Sequence, residues 1–296
     1  MRTLLVAALL ACTPLALSAQ AARRLFISVD MEGIAGVVTG EQLGPGGFEY
    51  ERFRRFMTEE VLAVIRGARA AGITEFLVTD AHGNGQNLLI DLLPEDVQVI
   101  RSWPRPLGMM EGVDSTFEAA VFVGYHAGTT NPVGVRAHTF SSARLTDVRI
   151  NGRSVPEGGI NAAIAGHFGV PVLLITGDAA AVEEVRALIG PVEAAVVKWP
   201  VSFHSARTLT PQAAARLIEE RTHTALVNRR ARTPYVLRGP VTLDVTFKHY
   251  QPSQLLSWLP GVERPDAHTI RYVGPDILAV SRFLTVINHY SLDLEP

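Results

Sequence analysis

The sequence predicts an α/β fold, a mostly parallel sheet flanked by helices with a smaller C-terminal α+β lobe. Three observations lead there. Leu25–Val29 and Ala119–Val123 are short apolar runs, the pattern of strands buried on both faces. Runs of this kind alternate with stretches of helical periodicity, which is the signature of βαβ units. A chain of 296 residues with 47% hydrophobic content also suffices to bury a full α/β core.

The N-terminus is set apart. Met1-Arg2, the apolar run Leu4–Leu17 and the small-residue exit Ser18-Ala19-Gln20-Ala21 have the form of a secretory signal covering residues 1–21, which implies a secreted or periplasmic protein. The run is shorter than the roughly 20 apolar residues of a membrane span and is broken by Pro14, so no stable span is expected. Leu9-Leu10-Ala11-Cys12 leaves lipoprotein anchoring at Cys12 as an alternative. Cys12 is the only cysteine, so the mature chain has neither a disulfide nor a thiolate ligand, and any metal must be held by histidines and carboxylates.

After the first strand, Phe53, Phe56, Met57, Val61 and Val64 recur at helical spacing within a helix over Tyr50–Ala71 that Gly72 closes. Ile73–Thr79 is the second strand and Val97–Ile100 a short third. A helical turn is expected within Met109–Phe117, followed by the Ala119–Val123 strand. Thr129–Arg153, rich in turn formers, reads as a loop or hairpin excursion. Pro156-Glu157 opens a helix to about His167. Strands follow at Pro171–Thr176 and Val192–Lys198, with helices at Ala180–Leu188 and Pro211–Asn228. The polar stretch Arg229–Pro234 marks a boundary, dividing a catalytic domain over residues 22–232 from a lobe over 233–296. In that lobe, Tyr235–Phe247 alternates as an extended ribbon, and helices are expected at Ser253–Leu259 and Asp276–Tyr290.

Metal-seeking side chains fall at the ends of these elements: Asp30 and Glu32 after the first strand, His82 after the second, His126 after the Ala119–Val123 strand, and Glu157 at a helix start. In an extended chain residues i and i+2 point the same way about 6.5 Å apart, so Asp30 and Glu32 reach one small volume. Strand ends distant in sequence converge at the carboxyl edge of such a sheet. Two imidazoles and three carboxylates suit Zn²⁺, with Mn²⁺ or Co²⁺ as alternatives. One Asp bridging two ions about 3.5–4 Å apart would use this donor count well. The formal net charge of −2 and the lack of a basic stretch interleaved with aromatics exclude nucleic acid as a partner.

Six strings occur in order: Ser28-Val29-Asp30-Met31-Glu32-Gly33, Asp80-Ala81-His82, Glu111-Gly112-Val113-Asp114, Gly124-Tyr125-His126-Ala127, Gly134-Val135-Arg136-Ala137-His138 and Glu157-Gly158-Gly159-Ile160-Asn161-Ala162. Together they resemble the M55 metallopeptidase family of D-aminopeptidases. The resemblance implies a zinc enzyme, with two ions per subunit, that removes the N-terminal residue from short D-amino-acid peptides such as D-Ala-D-Ala. It implies Asp30, Glu32, His82, His126 and Glu157 as metal ligands, His138 as the catalytic histidine, and assembly into a self-compartmentalising decamer. Asp80, two before His82, and Asn161, one helical turn after Glu157, sit where partners that orient the ligands are expected. Glu111 and Asp114 read instead as local caps. The secretion signal departs from the family's typical pattern and moves the expected substrate toward peptidoglycan-derived D-Ala peptides. Fold and ligands do not select substrate, so another metal-dependent hydrolase (L-dipeptidase, amidase or phosphoesterase) or a non-catalytic periplasmic metal- or peptide-binding protein stand as alternatives.

Overall fold

The structure, a computed structural model, describes residues 22–290; the proposed signal over 1–21 and Cys12 lie outside the described residues. In chain order the elements are β1 (Arg24–Val29), α1 (Tyr50–Ala70), β2 (Glu75–Asp80), β3 (Val97–Ile100), β4 (Phe117–Tyr125), β5 (Leu145–Ile150), β6 (Arg153–Ser154), α2 (Glu157–His167), β7 (Val172–Asp178), α3 (Ala179–Ile189), β8 (Glu193–Ser202), β9 (Ser205–Thr208), α4 (Pro211–Val227), β10 (Val241–Phe247), α5 (Tyr250–Leu256), β11 (Val262–Glu263), β12 (Thr269–Gly274) and α6 (Ile277–His289).

Seven strands form one sheet in the order β3-β2-β1-β4-β7-β8-β9, parallel throughout except for the antiparallel β8-β9 edge. The chain first builds outward from β1 through β2 to β3, then returns to β1's other side with β4. That reversal leaves a crevice at the carboxyl ends of β1 and β4, the position where open α/β sheets bind ligands.

Both faces of the sheet are covered, which is why its central strands lack polar alternation. Leu25, Ile27 and Val29 of β1 face Phe53, Met57, Val61 and Val64 of α1, beside Ala214 and Ile218 of α4. Phe26 and Phe122 point the opposite way, into a core shared with α2, α6 and the second sheet. Every residue from Glu157 to Gly166 of α2 is buried, as expected of a helix apolar on all sides and lying between layers. Its Gly166 passes so close to the Tyr235 carbonyl that a Cβ would overlap it. Asp178 and Asp276 cap α3 and α6, accepting from the amides of Ala181 and Ala279 at 2.8 Å each.

The second sheet, antiparallel in the order β11-β12-β10-β5-β6, changes the expected division of the chain. Two of its strands, β5 and β6, precede residue 232, so the C-terminal segment completes a layer begun inside the catalytic domain. The Thr129–Arg153 excursion is thus a loop followed by a hairpin whose first strand pairs with β10. The ribbon expected over Tyr235–Phe247 is a strand only from Val241. Strands β9, β11 and β12 were not anticipated, being short and mixed in polarity. The turn near Met109 is a single 3₁₀ turn, Gly108–Met110. Among the described residues no helix is long and apolar enough to cross a membrane.

The turn that leaves β1 crosses the end of β4 at one of the tight backbone contacts of the fold. Gly33 donates its amide to Gly124 O at 2.7 Å, and a Cβ on Gly33 would fall on the carbonyl groups of Gly124 and Tyr125. Gly33→Ala is therefore expected to cost about 2 kcal/mol or more through forced separation of these segments, measured as a lowered urea midpoint.

Candidate metal centre

Asp30, Glu32, His82, His126 and Glu157 meet at the crevice, all buried. The local reason differs from a strand register. β1 ends at Val29, and the two carboxylates ride on the turn that follows, closed by Ile34 N–H donating to Met31 O at 3.1 Å. Asp30 stays tied to β4 through its amide, which donates to Val123 O at 2.8 Å. His82 follows β2, His126 follows β4, and Glu157 is the first residue of α2.

Each imidazole has one nitrogen occupied and the other aimed inward. His82 Nε2 lies 2.8 Å from Leu43 O, His126 Nδ1 2.9 Å from Ala127 O, and His138 Nδ1 2.7 Å from Arg136 O. These carbonyls accept only from N–H, which assigns the protons and leaves His82 Nδ1, His126 Nε2 and His138 Nε2 as the free lone pairs. Backbone carbonyls in this role are the usual partners of metal-binding histidines.

The carboxylates complete two groups. His82 Nδ1 lies 3.2 Å from Asp30 Oδ1 and 2.8 Å from Glu32 Oε2; His126 Nε2 lies 3.3 Å from Asp30 Oδ2 and 3.6 Å from Glu157 Oε2. Asp30 therefore offers one oxygen to each side. Two donors on one tetrahedral zinc ion lie about 3.4 Å apart, given bonds of about 2.1 Å, so these separations suit shared cations. Asp30 Oδ2 and Glu32 Oε2 are buried and accept no hydrogen bond among the described residues, which is costly unless a cation or proton takes them. With three N/O donors in each of two groups, Asp30–Glu32–His82 and His126–His138–Glu157, and no sulfur, the residues fit zinc.

The charges are interdependent. Burial raises the Asp30 carboxyl, and the neighbouring Glu32 charge raises it further against the pull of His126 and His82. Burial also acts upward on Glu32, but attraction to His82 outweighs it and holds Glu32 well below the usual range. His82 and His126 are pushed well above the ordinary imidazole value because Glu32, Glu157 and Asp30 overcome the opposing effect of burial. Without a metal, protons on these rings hold the carboxylates together.

His138, on the loop before β5, stacks on His126 with ring centroids 4.1 Å apart and planes 5° from parallel. Its Nε2 lies 3.8 Å from Glu32 Oε1. Asp80 does not touch a ligand ring. Its carboxylate accepts from the amides of Asn87 and Leu88 and from Asn87 Nδ2, and Asn87 Nδ2 also donates to His82 O at 2.7 Å, so Asp80 shapes the loop that carries His82. Asn161 lies farther out than its spacing suggested. Its Nδ2 donates to Tyr125 Oη at 2.8 Å and contacts Met109 Sδ, bracing the wall rather than Glu157. Glu111 and Asp114 lie outside the centre, accepting from the amides of Leu107 and Thr116, with Asp114 also 3.8 Å from Arg24 Nη1, and His249 is exposed.

A support beneath the site had no sequence signature. Lys198, at 0% exposure near the end of the parallel part of β8, donates to the carbonyls of Glu32, Ile34 and Val37, the last at 2.6 Å. Glu60 of α1 accepts from Ala35 N–H at 2.9 Å in the same loop. One buried ammonium and one buried carboxyl thereby clamp the turn bearing Glu32. Burial lowers Lys198 to about 8 and raises Glu60 to about 7. A lysine at the end of an apolar strand reads as an exposed edge, and only the fold brings the loop of residues 32–37 across it.

Above these residues opens a cavity of about 470 Å³, walled by Trp103, Leu107, Met109, Ile160, Ile164 and Leu284. Its size is that of a small-molecule site, in a range of about 300–1,000 Å³.

Known proteins share this arrangement. The family model described as peptidase M55, D-aminopeptidase, matches residues 23–286. A D-aminopeptidase of Bacillus subtilis (strain 168) is 35% identical over 270 residues, covering 91% of this chain and 98% of the relative. A solved structure, described as the Zn-dependent D-aminopeptidase DppA from Bacillus subtilis, a self-compartmentalizing protease, superposes with a TM-score of 0.86 at 35% identity, covering 89% of this chain and 96% of that one.

The Glu60 clamp makes stability depend on pH in a defined direction. Glu60 holds its proton to about pH 7 in the fold but loses it near 4.5 when unfolded, so its contribution is complete below pH 4.5 and lost as pH rises through 7. Glu60→Gln keeps the acceptor for Ala35 and cannot ionise. Its stability relative to the parent should rise by about 2–3 kcal/mol between pH 5 and pH 8, read by urea unfolding at the two pH values.

Proposed function

The chain belongs to the peptidase M55 family of D-aminopeptidases, and from that premise we propose that it is a zinc-dependent aminopeptidase that releases N-terminal D-amino acids, such as D-Ala, from short peptides. The observation that carries this reading is Asp30, with one oxygen turned toward His82 and the other toward His126, so that it stands between the Asp30–Glu32–His82 donors and the His126–His138–Glu157 donors. Asp30, Glu32, His82, His126 and Glu157 would hold the metal. Zinc so held supplies a Lewis acid for the scissile carbonyl and brings the pKa of water toward neutrality.

Hydrolysis adds the oxygen of water to the acyl carbon and a proton to the departing amine as the C–N bond breaks. His138 is placed for the proton. Its Nδ1 is committed to Arg136 O, so Nε2 is the atom that takes a proton and passes it to the amine nitrogen. Stacking on His126 fixes the plane of the ring. The negative floor attracts the free ammonium of a peptide, and the apolar walls receive its side chains.

Residues 1–21, as a cleaved signal, direct the enzyme to the periplasm or outside the cell, where D-Ala peptides derived from peptidoglycan are the natural supply. The self-compartmentalizing structural relative supports a homo-oligomer of this chain as well.

Zinc-loaded protein is expected to cleave D-Ala-D-Ala about 100-fold or more faster than L-Ala-L-Ala, and excess chelator to abolish the reaction. Faster cleavage of L-Ala-L-Ala would make it an L-dipeptidase on the same scaffold, equal rates would remove the D-preference, and saturable binding without turnover would make it a binding protein. Asp30→Asn should lose bound zinc by elemental analysis, because each donor group loses an anionic oxygen. His138→Ala should keep its zinc while kcat falls about 10²–10⁴-fold, the usual worth of a positioned acid–base group.

A further inference from the structure

The cavity is electrically lopsided. Its floor carries Asp30, Glu32 and Glu157, whereas Arg144 is the one lysine or arginine among its lining residues. Some arginines of the chain are matched to acids, as Arg23 is to Glu118 at 2.7 Å and Arg271 to Asp244 at 2.7 Å. Among the described residues no carboxylate lies within 4.0 Å of Arg144. Its guanidinium is held by neutral acceptors instead, Nε by Ser141 Oγ at 3.3 Å and Nη2 by Asn288 O at 3.0 Å, and Nη1 has no hydrogen-bond partner among the described residues.

This arginine is built onto the same backbone segment as His138. Phe140 N–H donates to Glu157 Oε1 at 2.6 Å, Arg144 N–H donates to Ser141 O at 3.2 Å, and Arg144 O accepts from Lys248 N–H at 2.8 Å. The segment is thereby pinned to the candidate metal ligand Glu157 at one end and to the second sheet at the other. Among the described residues, the titratable neighbours on the adjoining helix add no negative charge. His289, stacked on Trp103 at 4.8 Å, is lowered by burial and by the cations Arg144 and Arg105.

A ligand that satisfies both ends carries an ammonium at one end and a carboxylate at the other. Two extended residues span about 7 Å and three about 10 Å, so a short peptide with both termini free has the matching polarity. We propose that Arg144 receives the C-terminal carboxylate of a di- or tripeptide, and that the enzyme thereby selects short peptides with a free C-terminus; this rests on the aminopeptidase reading above. The planar guanidinium fork suits a carboxylate in two parallel hydrogen bonds, and Nη1 is uncommitted.

The test compares D-Ala-D-Ala with its C-terminal amide, which removes only the charge. Zinc-loaded wild-type protein is expected to prefer the acid by about 10- to 100-fold in kcat/KM, mostly through KM, which is the scale of a charge-assisted hydrogen bond. In Arg144→Met the preference should shrink to within about 3-fold, and Arg144→Lys should restore part of it. Tetrapeptides of D-Ala should be poorer substrates than dipeptides in the wild type, a contrast that also narrows in Arg144→Met. An acid-to-amide ratio near one in the wild type, or one that Arg144→Met leaves intact, overturns the proposal. Calorimetric binding of the same pair to wild-type and Arg144→Met protein reads the same ratio without turnover. Loss of the aminopeptidase reading is therefore visible separately from loss of the carboxylate site.

Discussion

Three carboxylates buried within reach of one another are the constraint around which this molecule is arranged. Asp30, Glu32 and Glu157 are each removed from water, and charges of one sign confined in a medium of low polarity cannot persist without compensation. His82 and His126 supply it in the metal-free chain by holding protons well above the ordinary imidazole range. Cations would supply it better, since they satisfy Asp30 Oδ2 and Glu32 Oε2, which the protein itself leaves without hydrogen bonds. Every ligand nitrogen is pre-set by a backbone carbonyl on its far side, so the donors already face inward before anything binds.

Holding mutually repelling groups together demands a stiff frame, and the rest of the fold supplies one. The parallel strands β1 and β4 are packed on both faces. The turn after β1 crosses the end of β4 at Gly33 and Gly124, where nothing larger fits. Below, Lys198 and Glu60 grip the backbone of the turn that bears Glu32. To one side, α2 is wedged between the two sheets and delivers Glu157 from its first residue. The same frame sets the polarity of the cavity, negative where the chemistry is expected and positive at Arg144.

Much of this was legible in the residues. The α/β class followed from unbroken apolar runs such as Leu25–Val29 and from the spacing of Phe53, Met57 and Val61, both of which depend on neighbours in the chain. Asp30, Glu32, His82, His126 and Glu157 were singled out because strand ends converge in such folds, and the structure brings all five together. His138 came only from the resemblance of its surrounding string, since a histidine on a polar loop has no local mark of its direction. Where spacing misled, the cause was equally physical. Asn161 turns toward Tyr125 because the buried hydroxyl there needs a donor, and Asp80 serves the loop amides closest to it.

Local pattern, then, was sufficient for the class of fold and the short roster of metal-seeking side chains, because each depends on composition and period along a few consecutive residues. The pairing of β5 with β10, the two-sided placement of Asp30, the burial of Lys198 under residues 32–37 and the exposure of an unpaired Arg144 to the cavity emerged from folding alone. Each of these joins segments tens of residues apart, and the free energy that selects such contacts belongs to the packed whole, not to any stretch of chain read by itself.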